Sequence, residues 1–161
     1  MSGKLHWLMK TEPDVFGFDD LVKRPKKTEH WEGVRNYTAR NFMRDQFAVG
    51  QTVFIYHSRV AEPAIVGIAE VVRAAYPDPT ALDPKAKYFD EKSLKIGESR
   101  WVMVDVKAVS RFREAITLNQ MKADTKLKGM AVVLPGQRLS IQPVTAREWD
   151  HICSLTELLP V

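Results

Sequence analysis

The chain has 161 residues, 45% of them apolar and 27% charged, with a formal net charge of +4. That length suits one domain, residues 1–161, burying about two-thirds of its unfolded surface, and the composition excludes a largely disordered chain. The modest basic excess permits a phosphate-bearing partner, yet no long lysine-rich run is present, so any grip on nucleic acid is expected to be local. Cys153 is the single cysteine, which excludes a disulfide framework and a CxxC-type metal site. No apolar run approaches the roughly 18 residues that span a bilayer, and MSGKLHWLMK lacks the shape of a signal peptide. A cytoplasmic location is expected, nuclear if the source is eukaryotic, with no membrane partner.

In chain order, residues 5–9 alternate with Leu5, Trp7 and Met9 on one face, the period of a strand. This strand ends at Lys10-Thr11-Glu12-Pro13, because proline cannot donate to a ladder and holds Glu12 extended. Residues 18–23 (FDDLVK) space Phe18, Leu21 and Val22 as a short helix with acids in its first turn. The RPKKT segment that follows reads as a solvated charged loop.

Residues 31–45, WEGVRNYTARNFMRD, combine aromatics, arginines and asparagines with little uninterrupted apolar sequence. A helix beginning near Asn36 would project Arg40 and Arg44 from one face about 6 Å apart, a phosphate clamp, while Ala39, Phe42 and Met43 anchor the other face. Trp31 and Tyr37 would flank the entry turn, where a ring can stack on a base. The bland alternative is that these aromatics are core and the arginines pair with acids.

Residues 52–58 (TVFIYHS) form a β-branched and aromatic strand, and 64–75 a longer one, its expected antiparallel neighbour, with Gly67 available for a bend or a close backbone approach. His57 reads as a hydrogen-bonded structural histidine, whereas Ser58, at a strand end, could donate to a base edge or a phosphate. Three prolines make 76–96 a long excursion with at most a short ordered piece, and long loops often carry function. Residues 101–109 (WVMVDVKAV) alternate strictly, with Val102, Val104 and Val106 inward. Residues 117–123 suit a short helix, and 130–134 and 138–141 suggest a hairpin around Pro135-Gly136. Thr145 and Glu148 form a capping box ahead of an apolar stripe of Trp149, Ile152, Cys153 and Leu155.

About six strands interrupted by short helices, without regular βαβ alternation, indicate an α+β class with a curved or closed sheet and disfavour a doubly wound parallel fold. GxGxxG, Walker, HExxH and GxSxG motifs are all absent. The four histidines, at 6, 30, 57 and 151, never fall at ligand spacing. No cofactor and no metal are expected.

The blocks WLMKTEPDVFGFDDL, WEGVRNYTARNFMRD, VGQTVFIYHS, EPAIVGIAEVV and RWVMVDV, in this order and with Asp83-Pro84 between the last two, resemble the EVE-domain family of the PUA-like superfamily. The resemblance implies a PUA-like curved sheet or small β-barrel with short helices packed around it. It also implies a pocket for a modified, flipped-out base in DNA or RNA. Carried over by motif, that pocket draws on Lys10 and Thr11, on Trp31, Arg35, Asn36, Tyr37 and Arg40, and on Tyr56, His57 and Ser58, with Pro63 at the rim. In the resulting reader, Trp31 or Tyr37 stacks on the base, Asn36 and Ser58 read its edge, and Arg35, Arg40 and Arg44 hold phosphate. A monomer or weak dimer is expected, acting as a binding module rather than an enzyme. Two rivals stand beside this reading. One is an amidohydrolase-like enzyme acting on a modified nucleobase, as in the related ASCH domains, with Lys10, Thr11 and Glu12 supplying its chemistry. The other is a protein-interaction module whose arginines bind acidic partners.

Overall fold

A computed structural model describes residues 5–161; residues 1–4, the start of the segment read as lacking a signal peptide, lie outside the described residues. The strands are β1 (His6–Thr11), β2 (Thr28–His30), β3 (Thr52–His57), β4 (Ala64–Pro77), β5 (Val102–Thr117), β6 (Ile141–Val144) and β7 (Leu158–Pro160). The α-helices are α1 (Pro13–Phe16), α2 (Phe18–Lys23), α3 (Tyr37–Asp45), α4 (Glu91–Ile96), α5 (Leu118–Ala123) and α6 (Ala146–Ser154). Short 3-10 turns cover Pro25–Lys27, Pro79–Leu82, Thr125–Leu127 and Ala131–Val133.

The strands form one mixed sheet in the order β2-β5-β4-β3-β1-β6, with β7 pairing β5 beyond β2. Among the described residues only β1 and β3 pair in parallel, in the register Lys10 to Tyr56 and Thr11 to His57. The sheet is curved but not closed: β2 and β6 end its path, so the ladder remains open and the barrel alternative is not realised. Repeated register shifts between β4 and β5 supply the curvature, since each bulge bends its strand and sharpens the twist.

Both faces of the central strands are buried. Trp7, Met9, Val53, Ile55, Val104 and Val106 pack against α2 and α3 through Phe18, Leu21, Ala39 and Met43. Leu8, Phe54, Tyr56 and Ile68 pack on the other face against Met121, Trp149 and Ile152. Two-sided burial explains why HWLM and VFIY read as nearly continuous apolar runs. Trp149 of α6 lies flat on Phe54, with centroids 3.8 Å apart. The Thr145 capping box forms as expected, although of the stripe behind it only Trp149 and Ile152 are buried; Leu155 is exposed.

The expected hairpin after Gly129 is absent among the described residues. Residues 131–133 instead make a 3-10 turn, with Val132 buried, and β6 begins only at Ile141 to pair with β1. Tertiary packing of one apolar side chain there outweighs local β-propensity. The short strands β2 and β7 come from charged or terminal segments without alternation, and each borrows its order from the 16-residue β5.

Gly67 meets the close approach its position suggested. A Cβ there would lie 2.6 Å from the Phe18 ring and 2.8 Å from Ser110 O. Gly67→Ala therefore has to displace either α2 or the β4–β5 ladder. It should cost about 1–3 kcal/mol, seen as a lower urea midpoint with an unchanged m-value.

Candidate nucleic-acid interface

Because β1 and β3 run parallel, their C-terminal ends finish side by side. Ser58 N donates to Thr11 O at 2.9 Å, and Lys10 N donates to Ser140 O at 2.8 Å, drawing in the segment that precedes β6. Three chain segments thus converge at one edge of the sheet, and residues 31–36 close the fourth side. Between them lies a cavity of about 520 Å³, the size of a small-molecule pocket.

The wall of residues 31–36 has few apolar anchors and is held by polar bonds. Trp31 N donates to Val104 O at 2.7 Å, continuing the β2–β5 pairing. Gly33 adopts φ +82°, with the Tyr88 ring so close that a Cβ would sit 2.5 Å from it, so this position requires glycine on two counts. Gly33 N donates to Asp78 Oδ2 at 3.0 Å. All five N–H donors of Arg35 are used: Nε and Nη2 on Tyr88 O, Nη1 on Val34 O and Asp78 Oδ2, and Nη2 on Thr80 Oγ1. Asp78 is wholly buried and also accepts from the backbone and hydroxyl of Thr80. Burial opposes its ionisation, but the donors from Gly33, Thr80 and Arg35 outweigh it and hold the carboxyl below its usual range.

Of the expected site residues, Lys10, Thr11, Trp31, Arg35, Asn36 and Ser58 line this cavity. Lys10 is half-buried; its Nζ reaches Gln137 O at 3.5 Å and stands 5.8 Å from the Tyr56 ring centroid, and burial lowers its pKa. Thr11 Oγ1 donates to Phe16 O at 2.5 Å, so it faces the cavity as an acceptor. Asn36 caps α3 by accepting from Ala39 N at 3.1 Å, which leaves its NH2 free to donate. Trp31 is 8% exposed and packs edge-on with Phe16; its indole N–H has no acceptor among the described residues.

The other expected residues stand outside the cavity lining. Tyr37 stacks on Trp101, with centroids 5.1 Å apart, and bonds Arg100 through its hydroxyl. Arg100 is in turn fixed to Asp90, whose carboxyl is held far below its usual range by that guanidinium, with help from Ser93 and Trp101 Nε1 and against opposition from burial. Tyr56 is core, and His57 Nε2 accepts from Phe18 N at 3.1 Å. Burial lowers the His57 pKa, with Asp19 and Asp20 pulling the other way. Pro63 lends its carbonyl to Leu118 N. Arg40 spends its guanidinium on Asn41 Oδ1 and Arg100 O, and Arg44 grips Asp45. The clamp read from i, i+4 spacing is therefore two separate internal contacts, because nearer acceptors outcompete a shared external one.

Sequence reasoning missed Tyr88, Arg59 and Arg138, which also line the cavity. Tyr88 comes from the proline-rich excursion and occupies the aromatic position expected of Tyr37. Arg59 follows Ser58 with φ +56°, its side chain 81% exposed and loosely paired with Glu12 at 3.5 Å. Arg138 is exposed and makes no ion pair among the described residues. Nothing in local spacing marks these cations; the strand ends bring them together.

An open mixed sheet whose parallel strand ends frame one wall of a cavity defines an α+β fold of the PUA-like type. The chain belongs to the EVE-domain family, whose model matches residues 5–155. Thymocyte nuclear protein 1 of Gallus gallus is 43% identical over 172 residues, 96% of this chain and 70% of that protein. A crystal structure of a Pseudomonas syringae protein is 43% identical with TM-score 0.87, covering 93% of this chain and 98% of that one. The human THYN1 protein, crystallised in complex with DNA containing 5-methylcytosine, is 40% identical with TM-score 0.88, covering 97% and 99%. An ASCH protein of Zymomonas mobilis, at 14% identity and TM-score 0.53, shares the fold alone.

Replacing Asp78 with Asn points an amide NH2 among donors and leaves Arg35 without its counter-charge. The variant should lose about 3–5 kcal/mol at neutral pH. Since the folded carboxyl titrates below its unfolded value of about 4, that deficit is fully present above pH ~4 and closes as pH falls through the folded pKa. Urea unfolding of both proteins across this range measures it.

Proposed function

We propose that the protein is a reader of a modified base, holding the flipped-out nucleotide of DNA in the cavity at the ends of β1 and β3. The observation that carries the reading is the division of labour among the lining groups. Lys10 Nζ and the Asn36 NH2 are donors without strong protein acceptors, Thr11 Oγ1 is an acceptor, and Tyr88 with the small exposed part of Trp31 adds aromatic lining. Such a set matches the mixed edge and the faces of a nucleobase. Further support comes from the human relative crystallised with 5-methylcytosine DNA.

Phosphate contact falls to Arg59 and Arg138 at the rim. Arg35 and Arg40 are positioning residues, since their donors are committed within the protein. The protein acts as one domain and one copy per site, and in a eukaryotic cell its DNA target places it in the nucleus. No described helix is long and apolar enough to cross a membrane. A second reading, hydrolysis of an acylated base, draws on Lys10, Thr11 and Glu12 sharing the cavity. It is the weaker one, because the Thr11 hydroxyl proton is engaged by Phe16 O.

Asn36→Asp keeps the helix cap, which carboxylates provide as well as amides, but replaces the free donor with charge. The folded variant should bind 5-methylcytosine duplexes about 5- to 150-fold more weakly, the equivalent of 1–3 kcal/mol, with an unchanged melting temperature. Arg138→Ala should weaken modified and unmodified duplexes alike and flatten the salt dependence by about 0.9 per lost phosphate contact. Equal binding by Asn36→Asp and wild type in an anisotropy titration would remove the base-edge role.

A further inference from the structure

A second open cavity, about 870 Å³, lies at the far end of β6 and is lined by Lys126, Lys128, Arg147, Thr145, Glu148 and His151 among others. Its acids are already occupied. Glu148 Oε1 accepts from Thr145 N at 3.0 Å as the return half of the capping box, and Asp124 beside it is engaged by His151 at 2.6 Å and by Lys126 N at 2.9 Å. Lys126, Lys128 and Arg147 are exposed and form no ion pair among the described residues. Three cations thus stand around one depression without a direct ion pair among the described residues, although Asp124 is near enough to Lys126 to feel its charge and Glu148 shares the lining.

Their placement is fixed by the fold. Lys126 lies in the 3-10 turn Thr125–Leu127 and Lys128 directly follows it; the turn is anchored by fully buried Leu127 and capped by Asp124. Arg147 stands in the first turn of α6, which buried Trp149 pins to the sheet. The backbone positions of the cations are set in advance, so a ligand has only their side chains to order.

The relation between the two cavities carries the inference. Ser140, just before β6, lines the first; Thr145, just after it, lines the second. Five extended residue steps separate them, about 17 Å at 3.3–3.4 Å each. Along the axis of a duplex, at about 3.4 Å per base pair, that corresponds to about five base pairs. β6 is the terminal strand of the sheet path, and Arg138 stands at its near end.

We infer that Lys126, Lys128 and Arg147 form a second phosphate-binding surface, engaging the backbone of the same nucleic acid about five base pairs along the duplex axis from the flipped base. The inference rests on reading the first cavity as a nucleic-acid site. Spaced, exposed cations around an open depression suit a repeating polyanion; a single small anion would call for convergent buried donors, and this surface has none. The surface adds affinity and register and carries no base selectivity, as backbone contacts do.

The test is fluorescence anisotropy over a salt series, using duplexes of about 15 base pairs with and without one central 5-methylcytosine, long enough to reach both cavities. Wild type is compared with K126E/K128E/R147E and with the milder Lys126→Gln/Lys128→Gln pair, each retaining the wild-type melting temperature. The slope of log Kd against log salt should fall by about 2–3 in the triple variant and about 1–2 in the pair, at roughly 0.9 per phosphate. The ratio of modified to unmodified affinity should not change. Unaltered slopes in the folded variants would overturn the second surface. If wild type shows no preference for the methylated duplex, the base-reading proposal fails, while the slopes still decide whether the backbone is held here.

Discussion

The buried carboxylate of Asp78 is the constraint on which the cavity depends. Residues 31–36 contribute only Trp31 and Val34 to the core, so burial alone does not fix their path. Asp78 fixes it by collecting the Gly33 amide and the Arg35 guanidinium, while Arg35 reaches on to Tyr88 O. A charge so deeply placed is tolerable only when fully bonded, and here every donor that satisfies it belongs to the cavity wall or to the excursion behind that wall. Asp90 repeats the device one layer out, tying Trp101 and Arg100 and, through Arg100, Tyr37. The proline-rich segment of residues 76–96 is thus the buttress that gives the wall its shape.

What distinguishes a binding arginine from a supporting one is whether its donors are already spent. The stretch WEGVRNYTARNFMRD looks like a phosphate site by composition, yet all three of its arginines are internally satisfied, and other cations, on the turns at Arg59 and Arg138, border the cavity. The same test separates the polar lining. Thr11 has given up its proton and Asn36 its oxygen, and what each retains is complementary to the other. A pocket with one acceptor and unspent donors beside aromatic lining is selective by hydrogen bonding, where a missing partner leaves a desolvated group unpaired.

Much of this was legible in the chain. The strands at HWLMK, TVFIYH and AIVGIAEVV, the helix capped by Asn36, the Thr145 capping box and the close approach at Gly67 each have a local cause that sequence displays. The site was legible where it falls at strand ends, at Lys10, Thr11 and Ser58, and in the anchored half of residues 31–36. It was illegible where the determining partner is distant. Nothing near Arg35 announces Asp78, 43 residues on, and nothing near Tyr37 announces Trp101. Strand β2 and the 3-10 turn at Ala131–Val133 are likewise set by partners far along the chain, where local pattern is silent.

The central claim is that this wall holds a base. The four indole N–H resonances report on it directly, because Trp7 bonds Gln51 and Trp101 bonds Asp90, whereas Trp31 borders the cavity with its N–H unpaired. On titration with a duplex carrying one 5-methylcytosine, the Trp31 indole should shift most and the Trp7 indole should stay in place. A saturated complex in which Trp31 is unmoved would contradict the account.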